Sequence, residues 1–201
     1  MNFPRTIFLI IASLLCGTAT ASPESAFWGW FQKNESMLFD FEKDTEIVFN
    51  QLAAEMHKVN PDLTFEFSPK QGGQREFVIS ADGIRDSFAS VEKLYAAAPP
   101  LKNWKIIKFR PRREPFDIKF QGILVEAASV AVFIERDGPK AGLTVVIPGY
   151  TKAKHDSFAG LAFLLLDQAL GEFDVDTHVG FVGVAAPSER YAQATRLQNL
   201  P

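Results

Sequence analysis

The chain has 201 residues, and its 21 Lys and Arg against 24 Asp and Glu give a formal charge of −3. That balance lacks the broad basic surface that general nucleic-acid binding needs. Its one cysteine, Cys16, falls in an N-terminal segment that reads as cleaved, so disulfides, thiol chemistry and cysteine-based zinc sites are excluded from what remains.

Arg5 is the only charge near the start, and an apolar run from Ile7 to Leu15 is broken only by Ser13. Ala19 and Ala21 then form a small-x-small pattern, which predicts a signal peptide over residues 1–21 with cleavage before Ser22. The apolar run is far short of the roughly 20 residues that a membrane span requires. Leu14 and Leu15 precede Cys16 where a lipoprotein signal needs a small residue, so lipid attachment is not expected. The expected destination is the periplasm or the cell's surroundings, with no transmembrane segment after signal removal.

Ser22-Pro23-Glu24 reads as a helix start, with a hydroxyl cap, a proline in the first turn and an acid near the positive end of the dipole. Phe27, Trp28, Trp30 and Phe31 follow, read as rings docked onto a sheet, with a membrane- or partner-binding face as the alternative. Leu38, Phe41, Thr45, Val48, Leu52, Met56 and Val59 keep helical spacing, either as one helix or with a break near residues 40–44, and Pro61 ends the run. Strands are expected at 63–67 and 76–80 around the Gly72-Gly73 turn, then a helix over 87–98 and a strand over 104–110. Short strands at 116–120 and 123–125 lead to a pair at 130–135 and 143–147, a helix over 155–170 ended by Gly171, and a strand over 178–184.

This order repeats. Strand, strand, helix, strand occupies 63–110 and again 130–184, and both helices open on Asp-Ser-Phe-Ala, at residues 86–89 and 156–159. The expectation is an α+β fold, a single domain over 22–187 with internal duplication. Its mixed sheets should carry helices on one side, after an N-terminal helical segment and before a loosely ordered tail at 188–201. In the second repeat the strands are continuously apolar, so both sheet faces should be covered. In the first, Phe65, Phe67, Phe77 and Ile79 alternate with polar residues, which predicts one open face.

That face supplies the candidate site. Lys108, Arg110 and Arg112 would project from it about 7 Å apart, beside Arg113, with Glu66 and Glu76 from neighbouring strands. The readings are cross-strand ion pairs or a patch that grips a small anion. His57, His155 and His178 lack ligand spacing, and no Gly-x-Ser-x-Gly, Walker-type or dinucleotide-binding loop is present, so neither metal nor cofactor is expected. Asp167, Glu172, Asp174 and Asp176 cluster near a helix end, without the pattern of a calcium loop. They read as a solvated turn, or as the acids of a hydrolase centred on Glu172 and Asp174.

The segments 27–31 (Phe-Trp-Gly-Trp-Phe) and 75–84, with Ala97-Ala98-Pro99, Trp104 and Phe109-Arg110-Pro111-Arg112, resemble an uncharacterised family of bacterial proteins, a domain of unknown function. The resemblance covers about residues 27–185. It implies a bacterial source and supplies no catalytic residues. The functional expectation is therefore a non-enzymatic exported domain that binds a partner protein or a small anion, with a carboxylate-dependent hydrolase as the alternative. A third reading is a protein that docks on its partner through the aromatic N-terminal segment.

Overall fold

A computed structural model describes residues 21–200. All of the expected signal peptide except its last residue, and Cys16 with it, lies outside the described residues.

Helix α1 (Pro23–Lys33) begins as its sequence dictates: the Ser22 hydroxyl caps it by accepting from the Ser25 N–H at 3.2 Å. Phe27, Trp28 and Phe31 are buried, so the partner-docking alternative for these rings is corrected. The Trp28 indole donates to the Leu94 carbonyl at 2.8 Å, and Phe31 stacks on Phe77 at 5.2 Å. The following run does break, into α2 (Glu35–Phe39), a 3-10 turn and α3 (Thr45–His57). Asp40 closes α2 and pairs with Lys43 and Lys70, while Val48, Leu52 and Met56 give α3 its buried stripe.

The first sheet joins β1 (Thr64–Phe67), β2 (Arg75–Ser80) and β3 (Trp104–Lys108), with α4 (Phe88–Ala96) between the last two. β1 runs antiparallel to β2, and β3 runs parallel to it. The register sets Phe65 beside Ile79 and Phe67 beside Phe77, so these apolar side chains share the face that meets the N-terminal helices. A hairpin of β4 (Ile118–Phe120) and β5 (Ile123–Val125) turns through Gln121-Gly122, both at positive φ as a tight two-residue turn requires.

The second sheet repeats the first. β6 (Ala131–Asp137) and β7 (Lys140–Val146) are antiparallel, α5 (His155–Leu170) crosses over, and β8 (Val179–Ala185) returns parallel to β7. The fold is α+β with two mixed sheets and an N-terminal helical segment. Each half keeps its own apolar cluster, around Phe77 in the first and around Leu161, Leu165 and Val145 in the second.

Three expectations need correction. The acidic stretch after Gly171 is a helix, α6 (Glu172–His178), set at an angle to α5 by Gly171 at φ +91°. The tail is tied down: β9 (Thr195–Arg196) pairs with β6, and Leu197 and Leu200 are buried in the second core. The open face is also not where alternation puts it. Val78 and Ser80, on the polar side of the first sheet, have no exposed surface. On the second sheet, by contrast, Phe181 lies 41% exposed with its ring over Gly142.

Candidate functional site

The charged face of the first sheet is a seam between the halves. At the end of β3, Phe109 adopts φ +60° while its N–H donates to the Ile79 carbonyl at 2.7 Å. Its ring is held between Phe88 and Phe173, with centroids at 4.6 and 5.3 Å. This left-handed residue ends the strand, and the chain then crosses the polar side of its own sheet. Arg110 donates through Nε to Glu66 at 2.8 Å, and Arg113 lies 3.8 Å from Glu66 and 3.4 Å from Glu76.

The lock of the seam is Glu172, the first residue of α6 and only 1% exposed. Its Oε1 accepts from the Ala81 and Gly83 N–H groups at 3.0 and 3.2 Å, and its Oε2 from the Arg110 N–H at 3.0 Å. Three amide donors satisfy a carboxylate that burial would otherwise make costly. Gly171 makes the approach possible, because a Cβ there would stand 3.1 Å from the Arg112 nitrogen and 3.4 Å from the Arg110 oxygen.

Beside this lock, Arg110 also donates to Asp82 at 2.8 Å and lies 3.6 Å from Asp167. Asp167, on α5, is 8% exposed, and that burial is the main cause that pushes its carboxyl up to about 7. Arg110 works against the rise, while Glu172, Asp82 and Glu66 add to it. Asp167 therefore exchanges a proton near neutral pH.

Asp82, Asp167 and Glu172 border a cavity of about 440 Å³. One wall is the edge of β8 at Val179–Val182, and the other is α5 at Gly160, Phe163 and Leu164. The Asp82-Gly83 turn and Asp176 close one end, and Phe120 lies over Gly160. Phe163 is 49% exposed, so apolar surface faces the opening. Asp176 keeps its Oδ2 out of contact with solvent and without a hydrogen bond, with Arg85 Nε at 3.6 Å as its nearest cation.

The sequence-derived site is therefore split. Arg110, Glu66 and Glu76 come together, joined by Lys105, which reaches Glu76 at 2.9 Å. Lys108 lies on the other side of the sheet, bonded to Glu92 of α4 at 2.8 and 2.9 Å and above the Tyr95 ring. Arg112 turns to the C-terminal segment and donates to the Leu200 carbonyl at 2.6 Å. The expected common face of Lys108, Arg110 and Arg112 does not form, because the positive φ of Phe109 interrupts the alternation. Glu172 and Asp174 do not face one another either. The first is filled by amides, and the second is exposed and 3.3 Å from His178.

Sequence reasoning named Asp167 but missed Asp82 and the cavity. The Asp82-Gly83 pair was the available signal, a turn dipeptide directly after a strand. Comparison with protein-family models, with curated proteins and with solved structures found no match. Among the described residues, no group of three or more His, Cys, Asp or Glu side chains is placed to hold a metal ion, and no helix is long and apolar enough to cross a membrane.

Proposed function

We propose that this chain is an exported, non-enzymatic binding domain whose ligand site is the cavity between β8, α5 and the Asp82-Gly83 turn. One observation carries the reading: exposed apolar surface at Phe163 faces the same 440 Å³ space as the carboxylates of Asp82, Asp167 and Asp176. Few convergent polar groups on apolar walls are what a ligand pocket needs. The matching ligand has an apolar body and a cationic or hydrogen-bond-donating end. A small anion is the weaker fit, since the residues lining the cavity include Asp82, Asp167, Glu172 and Asp176 and no Lys or Arg.

A thermal-shift comparison of the chain from Ser22 onward tests this, with phenethylamine and agmatine set against phosphate and citrate. The amines are expected to raise the midpoint by about 2 °C or more at saturating concentration, and Asp167→Asn to abolish the rise. Shifts with the anions alone would overturn the reading.

The alternative of a carboxylate-dependent hydrolase keeps one supporting observation, moved from Glu172 and Asp174 to Asp167. Burial sets that carboxyl at about 7, where a proton donor works best near neutral pH. Turnover of generic glycoside or ester substrates that disappears in Asp167→Asn would favour it over the binding domain, and absence of turnover would remove it.

A further inference from the structure

We propose that the natural occupant of the cavity is an extended segment of a partner protein, which adds as a strand to the free edge of β8 and sets one basic side chain among Asp82, Asp167 and Asp176. The proposal rests on the cavity being the ligand site and names what enters it.

The carrying observation is the state of the β8 edge. In the second sheet the order is β8-β7-β6-β9, so β8 is outermost, and among the described residues no strand covers its far side. Its seven residues, Val-Gly-Phe-Val-Gly-Val-Ala, include no charge and no proline. Proteins ordinarily guard an edge with one or the other, or with a bulge or a covering loop. The one irregularity on this ladder is the register shift at Ala141/Gly142, which leaves Gly180 bulged, and Phe181–Ala185 beyond it pair with β7 without interruption. The opposite edge, β9, is only two residues long.

The ladder identifies the unpaired groups. In a parallel pair, a residue's N–H and C=O point to the same neighbour, and successive residues point to opposite sides. The Ile147 N–H donates to the Ala185 carbonyl at 2.9 Å, and Phe181, Gly183 and Ala185 face residues 142, 144 and 146 of β7. Val182 and Val184 therefore direct their peptide groups away from β7. No backbone hydrogen bond reaches them from elsewhere among the described residues.

The cavity begins at that edge. Its lining takes Val179–Val182 of β8 and Gly160, Phe163 and Leu164 of α5, and β8 has a paired neighbour on one side only; a gap between an edge strand and a helix is of the kind that accepts an added strand. Side chains on one face of such a strand recur about every 7 Å, so one meets Phe163 and Leu164 while its neighbour on that face reaches the acidic end. Arg110 beside Asp82 and Asp167, and Arg85 beside Asp176, set two guanidinium groups against three carboxyl groups, at the end of an apolar groove whose other wall offers unpaired amides. Charge complementarity then selects Lys or Arg at the inserted position.

The test uses the peptide Ac-Val-Thr-Val-Arg-Val-Thr-Val-NH2, fluorescently labelled, with the chain from Ser22 onward. Anisotropy should report binding that weakens about tenfold or more when Glu replaces the Arg, and equally when alternate backbone amides are N-methylated. Hydrogen exchange at the Val182 and Val184 amides should slow when the parent peptide is bound. Val182→Pro removes an outward N–H without touching the ladder to β7 and should abolish binding. The N-methylated peptide tests the same bond with the protein unaltered.

Equal binding of parent and N-methylated peptides, with unchanged exchange, would overturn strand addition. If phenethylamine still raised the melting midpoint, the cavity would remain the ligand site. If neither amine nor peptide bound, both would fall. Concentration-dependent dimers that protect the same amides and vanish in Val182→Pro would assign the edge to a second copy of this chain, and would also overturn the proposal.

Discussion

Arg75 is a buried cation amid rings, 1% exposed on the same face as Phe77 and Ile79. Its guanidinium donates to the Phe39 and Ser68 carbonyls at 2.8 and 2.7 Å and to Glu42, and lies over the Phe41 ring at 4.5 Å. This fork ties the break between α2 and α3 to the sheet, which a lysine's point charge would not do. Arg75→Ala is expected to cost about 3 kcal/mol in urea denaturation, with Arg75→Lys recovering little. Its face was legible from alternation with Phe77, but its burial was not, because the carbonyls that receive it come from distant residues. Asp167 makes a second residue-scale case. Its carboxyl has a folded value of about 7 against an ordinary 3.8. Below the lower value it is protonated folded or unfolded. Between the two the unfolded chain releases its proton and the folded chain retains it, so stability falls with rising pH and levels off above about 7. The full span is on the order of 4 kcal/mol, and Asp167→Asn should flatten that part of the profile.

At the scale of elements, periodicity carried most of the fold. The helix over 155–170 and the strand over 123–125 coincide with α5 and β5, because continuous apolar spacing and flanking turn residues fix them locally. β3 and α6 depart from the sequence expectation for different reasons. The alternation of residues 104–112 runs past the strand's end, and the bend at Phe109 depends on rings from α4 and α6. α6 is short and acidic, and what stabilises its first turn is the set of amides that Glu172 meets across the seam. Two glycines separate backbone necessity from tolerance. Gly171→Ala should destabilise by about 2 kcal/mol or more, since φ +91° and the Arg112 backbone at 3.1 Å both oppose a Cβ. Gly29→Ala, within α1 and with nothing inside 4 Å of a new Cβ, should stabilise by about 0.5–1 kcal/mol. Thermal melts of the two variants against the parent check both signs.

In the whole molecule, two halves of like topology, each with its own core, meet through charge. The polar alternation of the first sheet was visible in sequence, and so were the acids after residue 166. What could not be seen is that Arg110 and Glu172 join them, since nothing local reports a pairing across 62 residues. The face expected to greet a ligand is consumed in assembly, and the opening falls at its border, where β8 ends the second sheet. Glu172→Ala leaves three amides without their acceptor and should cost about 3 kcal/mol or more. Its calorimetric trace should split if the seam alone couples the halves.

Chemical-shift mapping of the isotope-labelled chain during titration with phenethylamine is the most direct measurement. The amide shifts should gather at residues 82–83, 160–167 and 179–182, along the two walls and the acidic end of the cavity. Shifts that leave those residues still, or that gather at residues 108–113 when phosphate is added instead, would contradict it.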